Sequence, residues 1–142
     1  MKLQDFDFRV WDEDKKSFVK DAGFASLKNR TYPIQMLMQQ LSYHFLENAS
    51  ALKIELWSGF TDKNGVKILE NDIVKHKNGE IGQVFFRKGC FVVIYATYFN
   101  ENLTEDELDS IAIYVKSTIR NGEKRLEVIG NIHENADLLK QG

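Results

Sequence analysis

Three histidines (His44, His76, His133), one cysteine (Cys90), an acidic run (Glu105-Asp106-Glu107 with Asp109) and a basic set (Lys75, Lys77, Arg87, Lys88) are the side chains with which this sequence could do chemistry. The histidines are far apart and form no HxxxH or HxH pair, so they read as ordinary surface or core residues, and no metal or cofactor is expected. Cys90 has no histidine at motif spacing and lies between Gly89 and Phe91, which reads as a small buried hydrophobe rather than a nucleophile. The acidic run lacks the alternating oxygen ligands of a calcium loop and fits a helix start, where the macrodipole favours carboxylates. No glycine-rich phosphate cradle is present, because Gly79 and Gly82 belong to a hairpin and not to a strand-to-helix turn.

The basic residues are the one cluster with a binding chemistry to offer. With Asn78-Gly79 as a two-residue turn, Lys77 pairs with Glu80 and Lys75 with Gly82, which sends Arg87 and Lys88 to the far end of the hairpin. The charges do not converge, and Glu80 sits among them. A solvated sheet rim is therefore expected ahead of a phosphate-binding stripe. The formal net charge of −2 gives no global field to draw nucleic acid or anionic lipid. A single cysteine excludes internal disulfides and fits a reducing cytosol. The N-terminal stretch Met-Lys-Leu-Gln-Asp-Phe-Asp-Phe is charged where a signal peptide is apolar, and no apolar run approaches membrane-spanning length. A cytoplasmic protein with no membrane partner is the expectation.

The elements that must position these residues follow from periodicity. In residues 6–11, Phe6, Phe8 and Val10 alternate with Asp7 and Arg9, predicting a half-buried strand; residues 12–16 turn it into a return strand over 17–20. Residues 21–32 read as loop. From Pro33, Ile34, Leu37, Met38, Leu41, Phe45 and Leu46 recur at helical spacing, with Thr31 near enough to cap and Asn48–Ser50 as a stop. Met36, Met38 and Tyr43 fit a helix packed on its own sheet better than a partner-binding groove. A strand over 52–57 puts Leu52, Ile54 and Leu56 inward against Lys53 and Glu55, and Ser58-Gly59 breaks it. The Asp62–Gly65 turn, strand 72–76, the Lys77–Glu80 turn, strand 81–86, an Arg87–Gly89 turn and strand 90–96 then make an antiparallel meander. Strand 90–96 is apolar on both faces and so twice covered. Gly82 marks a bulge or bend that curls the sheet toward a small barrel.

Thr104 and Glu107 have the spacing of a capping box, predicting a helix over 104–112. Residues 113–120 fit either periodicity: Leu108, Ile111, Ala112, Val115 and Ile119 share a helical face, whereas Ile111, Ile113, Val115 and Ser117 alternate, and Asn121-Gly122 reads as the helix stop. A strand over 126–129 and a turn capped by Asn135 and pinned by Leu138 and Leu139 end the chain.

Three stretches together resemble the YopX family of bacteriophage and prophage proteins: Phe8-Arg-Val-Trp-Asp12; Thr61-Asp-Lys-Asn-Gly65 with Glu70-Asn-Asp-Ile-Val74; and Glu127-Val-Ile-Gly-Asn-Ile-His-Glu-Asn135 with Ala136 to Leu139. Order and spacing match from residue 8 to 139. Trp57-Ser-Gly-Phe60 stands where the family has a Tyr-Thr-Gly-Leu type run, Ala136 where it has Pro, and Asn71 where it has Gly and a positive φ is expected. The resemblance implies a mainly β (α+β) chain whose meander curls into a small SH3-like barrel, with an N-terminal β-hairpin and one or two packed helices. It implies a single domain over 1–142, with subdomains 1–54 and 55–142, and it carries no catalytic residue across.

Asp62, Asn64, Gly65, Asp72, Gly79, Gly82, Gly130 and Asn131 are expected to serve turn geometry and local hydrogen bonds rather than chemistry. The expected role is a non-enzymatic module that binds a protein partner or further copies of itself, with Trp57 or Trp11 as anchor if exposed, although both fit the core. The alternative is nucleic-acid binding through Lys75, Lys77, Arg87 and Lys88, for which Gly79–Val84 faintly resembles the KOW-type turn of small barrels.

Overall fold

A computed structural model describes residues 7–19 and 49–141. The loop 21–32 and the helix expected from Pro33 lie outside them, as do Met36, Met38, Tyr43 and His44. The chain divides into two compact units, Met1–Trp57 and Ser58–Gly142.

In the first unit, β1 (Phe8–Asp12) pairs antiparallel with β2 (Ser17–Phe18) on one side and with the start of β3 (Leu52–Thr61) on the other. The hairpin forms where alternation placed it. Asp12 Oδ1 accepts from the amides of Asp14 and Lys15 at 2.9 and 3.0 Å, which shapes the reversal. The expected solvent face does not exist, however, because every residue of β1 is buried. Arg9 lies directly opposite Glu55, and each is 1% exposed. The Arg9 Nε donates to Glu55 Oε1 at 2.8 Å, and its guanidinium lies 4.8 Å from the centre of the Phe18 ring. A charged residue enters the interior when its partner sits across the ladder, and here that partner reverses the face expected for β3: Glu55 is buried and Ile54 is exposed.

The second unit holds β4 (Lys67–Leu69), β5 (Asp72–His76), β6 (Ile81–Arg87), β7 (Cys90–Tyr95), helix α1 (Glu105–Ile111), β8 (Ile113–Tyr114), β9 (Ile119–Arg120), β10 (Glu123–Lys124) and β11 (Leu126–Asn131). The β5–β6–β7 meander is as expected. It grows to five antiparallel strands in the order β11-β5-β6-β7-β8, curled into a half-barrel. Ile68, Val74, Val84, Val93, Tyr95, Val115 and Leu126 form the core, each contributing about 1.5–3 kcal/mol by leaving water. β7 is covered on both faces from Val92 onward.

The reversals between strands differ from the expected ones in an instructive way. Asn78-Gly79 was expected as a two-residue turn, and Asp62–Gly65 as a tight turn through Asn64-Gly65. Instead Asp62 N–H donates to Val66 O and His76 N–H to Glu80 O, both at 2.8 Å, which closes three-residue loops. In each, only the glycine has positive φ, +81° at Gly65 and +97° at Gly79, as in a type I turn followed by a left-handed residue. The β5–β6 register consequently shifts by one: Lys75 faces Ile81, and Val74 faces Gly82. The third pair, Asn121-Gly122, joins β9 to β10 with φ of +52° and +77°, the tight turn with both central residues left-handed, and is not a helix stop. Lys88-Gly89, at +50° and +81°, is the same device between β6 and β7.

Other corrections are local. The expected Ser58-Gly59 break falls inside β3, which runs on with a φ of +85° at Gly59. Gly82 sits in unbroken register, so it marks no bulge; an added Cβ would lie 2.7 Å from Val93 Cγ1 and 2.8 Å from Ile94 O, so close packing of β6 on β7 requires a glycine there. The bulge lies in β11, between Val128 and Gly130. The capping box at α1 forms as expected, with Glu107 N–H bonding to Thr104 Oγ1 and Thr104 N–H to Glu107 Oε2. The helix ends at Ile111, where β-branched residues and the free edge of β7 favour pairing: Ile113 and Tyr114 face Val93 and Val92.

Candidate functional site

Asp62, Asp72 and Asn131 are all buried, and all spend their oxygens on backbone amides. Asp62 Oδ1 accepts from Asn64 N–H at 2.8 Å and Val66 N–H at 2.9 Å, closing its own loop; Oδ2 accepts from Val128 N–H at 2.9 Å, fastening β11 to that loop. Asp72 Oδ2 accepts from Leu69 N–H at 2.9 Å across the β4–β5 turn, where Asn71 adopts the positive φ (+66°) expected of it. Asn131 Oδ1 accepts from His133 and Glu134 amides, both at 3.0 Å, and its side-chain amide donates to Glu134 at 2.9 Å. Gly130 is held to glycine by Asn135, whose Oδ1 would lie 2.5 Å from an added Cβ.

The four basic candidates remain apart. Lys75 is exposed on β5. Lys77 pairs with Glu123 at 2.8 Å, which holds the Glu123 carboxyl below its usual value. At the far end of β6, Arg87 bonds Glu105 at 2.7 Å and Asp109 at 3.0 Å, and Lys88 also pairs with Asp109. Lys88 first, then Arg87, holds the Asp109 carboxyl low, and Asp109 and Glu105 raise the Arg87 guanidinium in turn. Arg87 and Lys88 thus tie α1 to the β6–β7 hairpin, with Lys88 still largely exposed. Trp57 is half-buried and Trp11 lies in the core.

What the structure does display is apolar. Phe86 is 44% exposed and Tyr114 56%. Phe86 and Phe91 face each other across β6 and β7 with ring centres 4.8 Å apart. Beside them Phe60, Cys90, Phe91, Tyr114, Lys116 and Ser117 line an open cleft of about 340 Å³. Cys90 is exposed there, contrary to expectation, because it directly follows the Lys88-Gly89 turn and precedes the covered part of β7. The sequence held two signals for this surface. Phe86 shares the sheet face of core residue Val84 but sits next to the end of β6, where cover runs out. Tyr114 lay in the segment whose periodicity was ambiguous. Among the described residues no group of histidine, cysteine and acidic side chains could hold a metal ion, and no helix is long and apolar enough to cross a membrane.

Comparison with known proteins agrees with this architecture. The sequence matches the family described as "YopX protein" over residues 7–140. A solved structure, protein EF1440 from Enterococcus faecalis, is similar with a TM-score of 0.50 at 20% sequence identity, covering 94% of this chain and 97% of that one; the likeness speaks to fold alone. No curated protein matches the sequence.

Proposed function

The chain belongs to the YopX protein family, and on that footing we propose that it is a phage- or prophage-encoded, non-enzymatic module that binds another protein, or further copies of itself, in the bacterial cytoplasm. The observation that carries this reading is the aromatic end of the β6–β7–β8 sheet, where Phe86, Tyr114 and the neighbouring cleft turn apolar surface to solvent. Exposed aromatic side chains are the groups that dominate the energetics of contact sites. The buried polar groups of the second unit support the same reading, since Asp62, Asp72 and Asn131 are engaged with backbone amides. Nucleic-acid binding draws less support, because Lys77, Arg87 and Lys88 already hold acidic partners. Light scattering and affinity capture from phage-bearing cells test the proposal. Self-association or a captured protein, lost on Phe86→Ser with Tyr114→Ser, is the expected result; a strict monomer that captures nothing contradicts it. Retention on oligonucleotides that weakens steeply with salt would favour the alternative.

A further inference from the structure

The cleft has a composition that specifies more than apolar contact. Its volume, about 340 Å³, sits at the lower end of the roughly 300–1,000 Å³ range of ligand sites and suits one or two large side chains. Its walls are the rings of Phe60, Phe91 and Tyr114, and its polar edge is Lys116 with Ser117. Lys116 is exposed and, among the described residues, has no ion-pair partner, whereas Lys77, Arg87 and Lys88 each hold an acid. One uncommitted cation beside an aromatic trough is complementary to one apolar group with a carboxylate close by. A nucleic acid would require several phosphate-facing cations, and the neighbouring Arg87 and Lys88 are already neutralised.

We propose that this cleft is a peptide-docking site that seats one aromatic or large aliphatic side chain of an acidic partner segment against Phe60, Phe91 and Tyr114, and pairs the adjoining carboxylate with Lys116. The inference rests on the interaction role proposed above and names the chemistry of the partner. Tyr114, on a β8 of only two residues, is more than half exposed before contact and becomes covered when the side chain enters. Selectivity comes from the pairing of charge with ring: an apolar residue flanked by lysines meets Lys116 with like charge, and an acidic segment without a large side chain leaves the trough empty.

Cys90 supplies the readout, being the sole thiol of the chain, exposed, and part of the cleft wall. Alkylation by neutral iodoacetamide is followed on the intact protein with the blocked tripeptides Glu-Phe-Glu, Lys-Phe-Lys and Glu-Ala-Glu as probes. Glu-Phe-Glu is expected to slow alkylation about threefold at twice its Kd, in the millimolar range usual for so short a ligand. The other two leave the rate unchanged, and Lys116→Glu transfers protection to Lys-Phe-Lys. Absence of protection at about 10 mM probe, equal protection by both charge types, or protection indifferent to Lys116→Glu each overturns the proposal. So does alkylation that slows with protein concentration alone, which would assign the cleft to a second copy. A protein that captures partners while Cys90 stays unprotected keeps the interaction role and loses this site.

Discussion

Two regions of the second unit invert the usual rule of burial in opposite senses. Around the Asp62 loop, carboxylates and a carboxamide are turned inward; around the cleft, aromatic rings are turned outward. Both arrangements cost free energy unless something meets the group concerned. For the inward polar groups the partners are present, as backbone amides of the loop, of the β4–β5 turn and of the segment after β11. At the cleft, Phe86 and Tyr114 stay about half exposed, and on the proposed reading a partner meets them there. On the proposed reading the contrast separates residues that hold the fold from residues that make contact, and it predicts different consequences for mutation at each.

The largest effect belongs to Asp62. Asp62→Ala strands the partly buried amide of Val128 and releases those of Asn64 and Val66, so stability should fall by about 2–3 kcal/mol, read as a lower urea midpoint at unchanged slope. Gly82→Ala comes next. Its Cβ would meet Val93 and the Ile94 carbonyl, and overpacking of this kind costs about 1–3 kcal/mol. The cleft region should behave differently: Tyr114→Ser should move stability by no more than about 0.5 kcal/mol, and Phe86→Ser, which also removes the ring pair with Phe91, by about 1 kcal/mol, each while weakening association. A destabilisation by Tyr114→Ser as large as that by Asp62→Ala would erase the distinction.

The smallest expected effect is electrostatic. Asp109, Glu123 and Glu13 are held below their usual carboxyl values by lysine and arginine partners, Glu13 at about 2 chiefly through Lys53 and then Lys16. A lowered folded-state value stabilises above the unfolded value and is lost as pH falls through the folded one. Stability should therefore hold above about pH 4.5 and decline toward about pH 2, with the decline reduced in high salt because these groups are at the surface. Urea titrations at pH 7 and pH 3, with and without salt, measure it.

Much of the fold was legible because it is written in local chemistry. The Thr104–Glu107 capping box, the alternation of β5 to β7 and the glycine-like role of Asn71 each depend on residues close in sequence. What escaped depends on long-range partners. Arg9 and Glu55 looked solvent-facing because nothing nearby in sequence shows that each finds the other across a ladder. The Asn-Gly dipeptides show the limit of a local rule. Asp62 draws Asn64-Gly65 into a three-residue loop by accepting two of its amides, whereas Asn121-Gly122, with no such acceptor described, takes the tight form. The candidate site was less legible than the fold. Cys90 was expected inside, and the outward aromatics emerged only once Tyr114 was placed on β8 beside Phe91.

The central claim, that the aromatic end of the sheet exists for contact, is tested most directly by comparing the parent protein with the Phe86→Ser, Tyr114→Ser double variant in sedimentation velocity and affinity capture, each at matched thermal midpoint. The account predicts that the parent associates, with itself or with a captured protein, and that the double variant stays folded, monomeric and alone. A double variant that associates as the parent does, or a parent that never associates, contradicts it.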